Sequence, residues 1–179
     1  YPVVMVTGDK DYQQLVTPQA VIWDPMKDKV IDHASILAET SLEPTQLIDV
    51  MGLSGDTADN VPGVPGIGPK TALTLIRQFG SMASLYEKID TITKKKQKEN
   101  LTRYRDQALL SRELVTIDTR APMVFDPSRF KAQEADEKAL AALYQQLEFH
   151  QLQRSVQQKK DAVKKRYHGI QDQKALAAL

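Results

Sequence analysis

Twenty residues, Leu53 to Ala72 (LSGDTADNVPGVPGIGPKTA), constrain this chain more than any other stretch. Gly63, Gly66 and Gly68 permit tight turns with positive φ, and Pro62 and Pro65 stiffen the backbone between them. Pro69 suits the first turn of a helix, where a missing N–H costs nothing. Ala72, Leu75, Ile76 and Phe79 then form an apolar stripe and Gly80 a stop, which predicts a helix over 70–79. The glycines invite comparison with phosphate-binding loops. A P-loop needs lysine where Pro69 stands, and Lys70 comes one place late. A dinucleotide fingerprint fails at Thr71, where its third glycine is due. What remains is a helix–hairpin–helix: a helix over 45–52, a loop, the Gly66-Ile67-Gly68 turn, and the helix 70–79.

Such a motif grips a nucleic-acid backbone without reading bases. Its second helix start offers N–H groups and a positive dipole end to phosphate. Lys70 and Thr71 at that start, Arg77, and Lys94, Lys95 and Lys96 of the Lys94–Lys98 cluster are candidate phosphate contacts, beside Gly63, Gly66 and Gly68. The lysine cluster equally reads as a solvated helix face. The net charge of +1 hides an asymmetry. Residues 1–69 carry three Lys/Arg against ten Asp/Glu, and residues 70–105 carry nine against three. The hairpin sits at the border of the two blocks.

Four of the aspartates in the acidic block stand in two close pairs. Asp9 and Asp11 follow the apolar run Val3–Val6, and Asp56 and Asp59 precede the hairpin. Carboxylates beyond a strand end, with no Cys in the chain, suit a hard cation such as Mg²⁺ or Mn²⁺. Each pair alone also has a structural reading: Asp9 as a helix cap with Asp11 solvated, Asp56 and Asp59 as turn residues. Four together need cations to be tolerable in close quarters, and two divalent ions about 4 Å apart would suit phosphodiester hydrolysis. His33, His150 and His168 are too scattered for a zinc site. Trp23 reads as a strand or core residue, and Tyr12 and Tyr86 as core residues, with stacking on nucleic acid as the alternative.

The remaining pattern predicts a buried parallel strand at 3–6, a helical turn at 11–15, a strand pair at 20–23 and 29–32, and a helix at 33–41. Further helices are expected at 81–88, 94–110 and 136–152, a short strand at 114–117, a loop at 121–130, and a linker or partly helical tail from 153. A buried strand at residue 1 suggests that earlier sequence is absent. No apolar run approaches membrane-spanning length, and no signal peptide is visible.

VTGDKDYQQLV (6–16), the stretch 53–72, and FGSMASLYEKID (79–90) together resemble the 5′–3′ exonuclease domain family of bacterial DNA polymerase I, within the flap endonuclease superfamily. The resemblance runs to about residue 154. It implies an α/β remnant of a parallel-sheet nuclease core (1–44), a mainly α-helical helix–hairpin–helix subdomain (45–154, with 114–118 packing back on the core) and a basic tail (155–179). It implies a structure-specific 5′ nuclease acting on double-stranded and 5′-flap DNA and on RNA primers in bacterial replication and repair, in the cytoplasm. Asp9, Asp11, Asp56 and Asp59 would be its catalytic metal ligands for two Mg²⁺ or Mn²⁺ ions. Main-chain oxygens of Asn60, Val64 and Ile67 would hold K⁺. The family's N-terminal half, with further acidic ligands, would precede Tyr1, and a polymerase region would follow. The piece alone is then expected to bind duplex DNA weakly and to cleave little. The competing readings are a non-catalytic helix–hairpin–helix DNA-binding module and a degenerate relative that has lost its metals.

Overall fold

The structure is a computed structural model and describes residues 1–161. It begins with strand β1 (Val3–Val6), a 3₁₀ turn (Lys10–Leu15), β2 (Ala20–Asp24) and β3 (Lys29–Ile31). β1 lies parallel to β2, with Val6 opposite Trp23. β2 lies antiparallel to β3, with Ile22 opposite Ile31. The expected strand pair is therefore present, and β1 is an edge strand.

Helix α1 (His33–Thr40) starts on a capping box between Asp32 and Ser35. After a 3₁₀ turn at Pro44–Gln46 comes α2 (Leu47–Ser54). One sheet face presents Met5, Ile22 and Ile31 to Val16, Ile36 and Leu47, forming a small core. The opposite face carries Val4, Val6, Trp23 and Val30, and it is open: Val4 is 58% and Val6 60% exposed. The buried strand expected at 3–6 is thus an exposed one. Its apolar run does carry two apolar faces, but among the described residues only one is covered.

The larger core belongs to the helices. α3 (Pro69–Phe79) begins at its proline and ends at Gly80, whose φ of +83° is the left-handed stop expected of it. Ser81 caps α4 (Met82–Glu87) by accepting from Ser84 N–H. Leu53, Ile76, Met82, Leu85 and Leu101 are fully buried together. Each such side chain stabilises the fold by about 1.5–3 kcal/mol relative to exposure. Asp49 of α2 is buried among them, accepting from Met82 N–H and pairing with Arg112 Nε. A buried carboxylate is tolerable only with such partners.

Three expectations are corrected here. The helix over 94–110 is two helices, α5 (Lys95–Arg103) and α6 (Arg105–Val115), broken at Tyr104. The strand over 114–117 is not formed. Leu114 and Val115 are the last turn of α6, and extended backbone starts only at Thr116. The Arg112–Asp49 pair and the buried Ser111 hold that turn helical against the β propensity of Leu-Val-Thr-Ile. The helix over 136–152 is also two, α7 (Glu137–Gln146) and α8 (His150–Asp161), separated where Glu148 takes φ +56°.

The chain divides into two compact units, Tyr1–Ala121 and one beginning at Pro122. In the second, α7 and α8 pack on each other and Phe125 stacks on Phe130 at 5.6 Å. The tail expected from 155 starts inside α8 and from 162, His168 included, lies outside the described residues. No described helix is long and apolar enough to cross a membrane.

Candidate functional site

β1 delivers the chain into the turn that carries the first aspartate pair. Asp9 caps the 3₁₀ turn, its Oδ1 accepting from Asp11 N–H at 3.0 Å. Gln14, buried one turn on, donates Nε2–H to Asp11 O and to Val115 O, both at 2.9 Å, and its Oε1 accepts from Ile117 N–H at 3.0 Å. One side chain thus ties the Asp11 turn to the end of α6.

The second pair follows α2. Gly55 ends that helix with φ +70°, and Asp56 then pairs with Val61 through two backbone hydrogen bonds of 2.9 and 2.7 Å. The carboxylate of Asp56 accepts from Ala58 N–H at 3.0 Å and tightens the turn. This arrangement aims Asp56 and Asp59 at Asp11. One carboxylate oxygen from each of Asp11, Asp56 and Asp59 lies within 4.8 Å of the others. Asp9 stands beside this cluster rather than in it.

The electrostatics are divided. Burial raises the pKa of Asp11, and the charges of Asp9 and Asp56 add to the rise. Lys10, with Nζ 2.6 Å from Asp56 Oδ2, holds Asp56 below the usual carboxylate range against an opposing burial effect. Among the described residues Asp11 Oδ1 is buried without a hydrogen-bond partner, and Asp56 Oδ2 is met only by the Lys10 ammonium. Such carboxylate oxygens, with no sulfur or imidazole beside them there, fit a hard divalent cation.

A stability test follows from Asp11. Its raised folded-state pKa means that folding disfavours the charged form, a cost fully present at neutral pH, where both states are ionised. The cost fades as pH falls through the raised pKa and is gone below the ordinary 3.8. In EDTA at pH 7, Asp11→Asn is therefore expected to unfold at a higher denaturant concentration than the parent chain. The gain should vanish when the same titration is run below pH 3.8.

Beyond Val61 the hairpin turns through Gly63 (φ +58°) and Gly66 (φ +81°), with Asn60 also left-handed at φ +57°. Val61, Val64 and Ile67 are buried and pin it to the helical core. Val64 N–H donates to Leu53 O, and Val64 O accepts from Ile67 N–H. Polar side chains of α5 and α6 hold the rest. Gly63 N–H donates to Ser111 Oγ at 3.0 Å. Gln107 Nε2 donates to Gly63 O at 2.6 Å, and Asn100 Nδ2 to Pro65 O at 2.8 Å.

A groove opens beside the hairpin. One part, about 380 Å³, is lined by Lys70, Thr71 and Thr74 of α3 and by Thr91 to Lys94. The adjoining part, about 370 Å³, adds Gly66, Ile67, Lys96 and Asn100. Both share Thr71, Lys94 and Gln97. The groove thus unites Gly66, Lys70, Thr71, Lys94 and Lys96, and two helix starts face it. Gly68 is exposed at the first of these, as the residue preceding α3. Gly63 is buried. Arg77 points elsewhere, its guanidinium donating to Glu39 O and Thr40 O at the end of α1. Lys95 faces Glu99 at 4.0 Å.

Sequence reasoning missed Gln14, Asn100, Gln107 and Ser111. Ser111 left a trace: it lies with Ala108 and Val115 on the buried stripe of α6, where a polar residue needs a partner. The other three gave no local signal.

The family model described as "5'-3' exonuclease, C-terminal SAM fold" matches residues 42–138, from just before α2 to the start of α7. DNA polymerase I of Bacillus subtilis (strain 168) is 38% identical over 156 residues, covering 85% of this chain and 18% of that protein. The chain therefore spans less than a fifth of that relative. Among solved structures, T5 5′-exonuclease with divalent zinc bound superposes with a TM-score of 0.58 at 23% identity, over 63% of this chain and 42% of that one. The catalytic core of Rad2 gives 0.57 at 21% identity, over 84% and 58%. At these identities the two structures establish a shared fold.

Proposed function

Because the chain belongs to the 5′-3′ exonuclease, C-terminal SAM fold family, we propose that it is part of a structure-specific 5′–3′ nuclease acting on DNA, with residues 45–115 as its helix–hairpin–helix clamp. The observation that carries this reading is the segment 55–71. Its first residues contribute Asp56 and Asp59 to the carboxylate cluster, and its last contribute Gly66, Lys70 and Thr71 to the basic groove. A rigid two-bond bridge from Asp56 to Val61 separates the two. A phosphate backbone seated in the groove is then held at a set distance from the carboxylates.

In this reading Asp11, Asp56 and Asp59 hold divalent ions, Mg²⁺ or Mn²⁺, with Asp9 contributing through water. Ions bound there supply the Lewis acidity that phosphodiester hydrolysis at neutral pH requires. The chain's own part is to fix the carboxylates and seat the substrate. Lys70, Lys94 and Lys96 neutralise phosphates, and the backbone N–H groups opening α3 and α5 add donors. Main-chain oxygens of Asn60, Val64 and Ile67 would accept K⁺ between the hairpin and a phosphate. Val64 O keeps one lone pair for this beside its bond from Ile67 N–H. Duplex and 5′-flap DNA are the substrates proposed. The remainder of the nuclease domain and a polymerase region are the proposed neighbours in the longer protein.

Two measurements on the chain test the proposal. Mn²⁺ binding, followed by the loss of the free-ion paramagnetic resonance signal, is expected to weaken by about 10–100-fold in Asp56→Asn. Binding to a fluorescent 5′-flap duplex is expected to weaken in Lys94→Ala, with the salt dependence shallower by about one phosphate contact. Wild-type metal affinity in Asp56→Asn would leave only the non-catalytic clamp. Without the rest of the domain the chain is expected not to cleave the flap. Turnover abolished by Asp56→Ala would contradict that expectation.

A further inference from the structure

We infer that Lys10 is a tethered counter-ion of the carboxylate cluster, which a divalent cation must displace in order to bind. The inference rests on the proposed metal reading and adds a residue that sets its affinity. Asp56 Oδ2 is the buried oxygen that a cation would take, and apart from Lys10 no donor among the described residues reaches it. Among the described residues the only positive charge against it is Lys10 Nζ at 2.6 Å. A Mg²⁺ or Mn²⁺ ion taking the same oxygen would sit about 2.0–2.2 Å from it. An ammonium and a metal ion sharing that one buried oxygen would be like charges no more than about 5 Å apart.

Lys10 is built to yield. Its side chain is 59% exposed, against 3% for Asp56. It lies in the first residue of a 3₁₀ turn, so the side chain can swing to water without moving the backbone. The turn itself is held independently, by the Asp9 cap and by Gln14. Lys10 thus offsets the repulsion among three carboxylates and leaves when a doubly charged ion replaces it. Only an ion of charge two or more adds compensation beyond what the ammonium already supplies.

The test is Mn²⁺ binding by the whole chain in wild type, Lys10→Gln and Lys10→Arg, read from the free-ion resonance signal, with circular dichroism to confirm folding. Lys10→Gln is expected to bind Mn²⁺ about tenfold more tightly, a figure discounted for the exposure of the lysine. Lys10→Arg is expected to stay near wild type. A second readout is acetylation of Lys10 in the wild-type chain, measured by peptide mass spectrometry. It is expected to rise when Mn²⁺ is added, because the displaced amine leaves its carboxylate. Unchanged or weaker binding in Lys10→Gln, equal tightening in both variants, or acetylation indifferent to Mn²⁺ would overturn the inference. Wild-type binding in Asp56→Asn would instead sink the metal site itself, and this inference with it.

Discussion

Gly55→Ala and Gly63→Ala are each expected to destabilise the chain by about 4 kcal/mol, lowering the unfolding midpoint by roughly 8–16 °C. Two costs combine. Both glycines hold left-handed backbone, φ +70° and +58°, which disfavours any residue with a Cβ by about 1–2 kcal/mol. Both also lie where a Cβ meets backbone that cannot rotate away. At Gly55 it would stand 2.5 Å from Val61 O and 2.8 Å from Gly63 N. At Gly63 it would stand 2.5 Å from Ser54 C and 2.7 Å from Gly55 Cα. The helix end and the hairpin are interlocked at these two residues. Relieving either overlap pulls the buried Gly63 N–H from Ser111 Oγ and leaves that amide unpaired, while Ser111 Oγ keeps its bond to Gln107 O. Gly68 is the control, with φ −84° and no atom within 4 Å of its would-be Cβ. Gly68→Ala should change stability by less than about 1 kcal/mol. Thermal unfolding of the three variants checks this. The double variant should cost less than the sum of the singles, because the two added methyl groups force the same separation. A Gly55→Ala midpoint within 2 °C of wild type, or strict additivity, would refute the interlock.

The sequence made this hairpin legible because its constraints are local. Pro69 and Gly80 bracket α3, Ser81 caps α4, and the glycines mark the turns within a few residues of where they act. The strand pair 20–24 and 29–31 was readable for the same reason. Asp56 and Asp59 stood out by spacing, and the structure places them with Asp11. What was hidden depends on distant partners. Nothing near Leu114 announces that Asp49, across 63 residues, holds Arg112 and keeps the last turn of α6 helical. Arg77 sits in the basic block, but its guanidinium is taken by carbonyls 37 and 38 residues earlier. β1 shows the limit from the other side. An apolar run reports what a strand could bury, and burial depends on which faces are covered.

Gln14→Leu should cost about 3 kcal/mol, although it exchanges side chains of similar volume and touches no charge. The amide makes three hydrogen bonds in a buried place, to Asp11 O, Val115 O and Ile117 N–H, the last two 101 and 103 residues away. Leucine leaves the Val115 carbonyl and the Ile117 amide without partners just where α6 ends, and an orphaned buried group costs about 1–3 kcal/mol. Gln14→Glu keeps the acceptor for Ile117 N–H but loses the donor, and should be intermediate at neutral pH. Denaturant titration of the three proteins measures this, and a Gln14→Leu loss below about 0.5 kcal/mol would show the bonds to be incidental. The same substitution should weaken Mn²⁺ binding by about tenfold, because Gln14 also ties down the turn that bears Asp11. It should leave flap-duplex binding near wild type. The hairpin takes its support from Asn100 on α5 and from Gln107 and Ser111, two turns and one turn before the end of α6. α6 is thus held to the carboxylate turn by Gln14, to α2 by Asp49 and to the hairpin by its own side chains. Cutting the first tie alone separates metal affinity from DNA affinity.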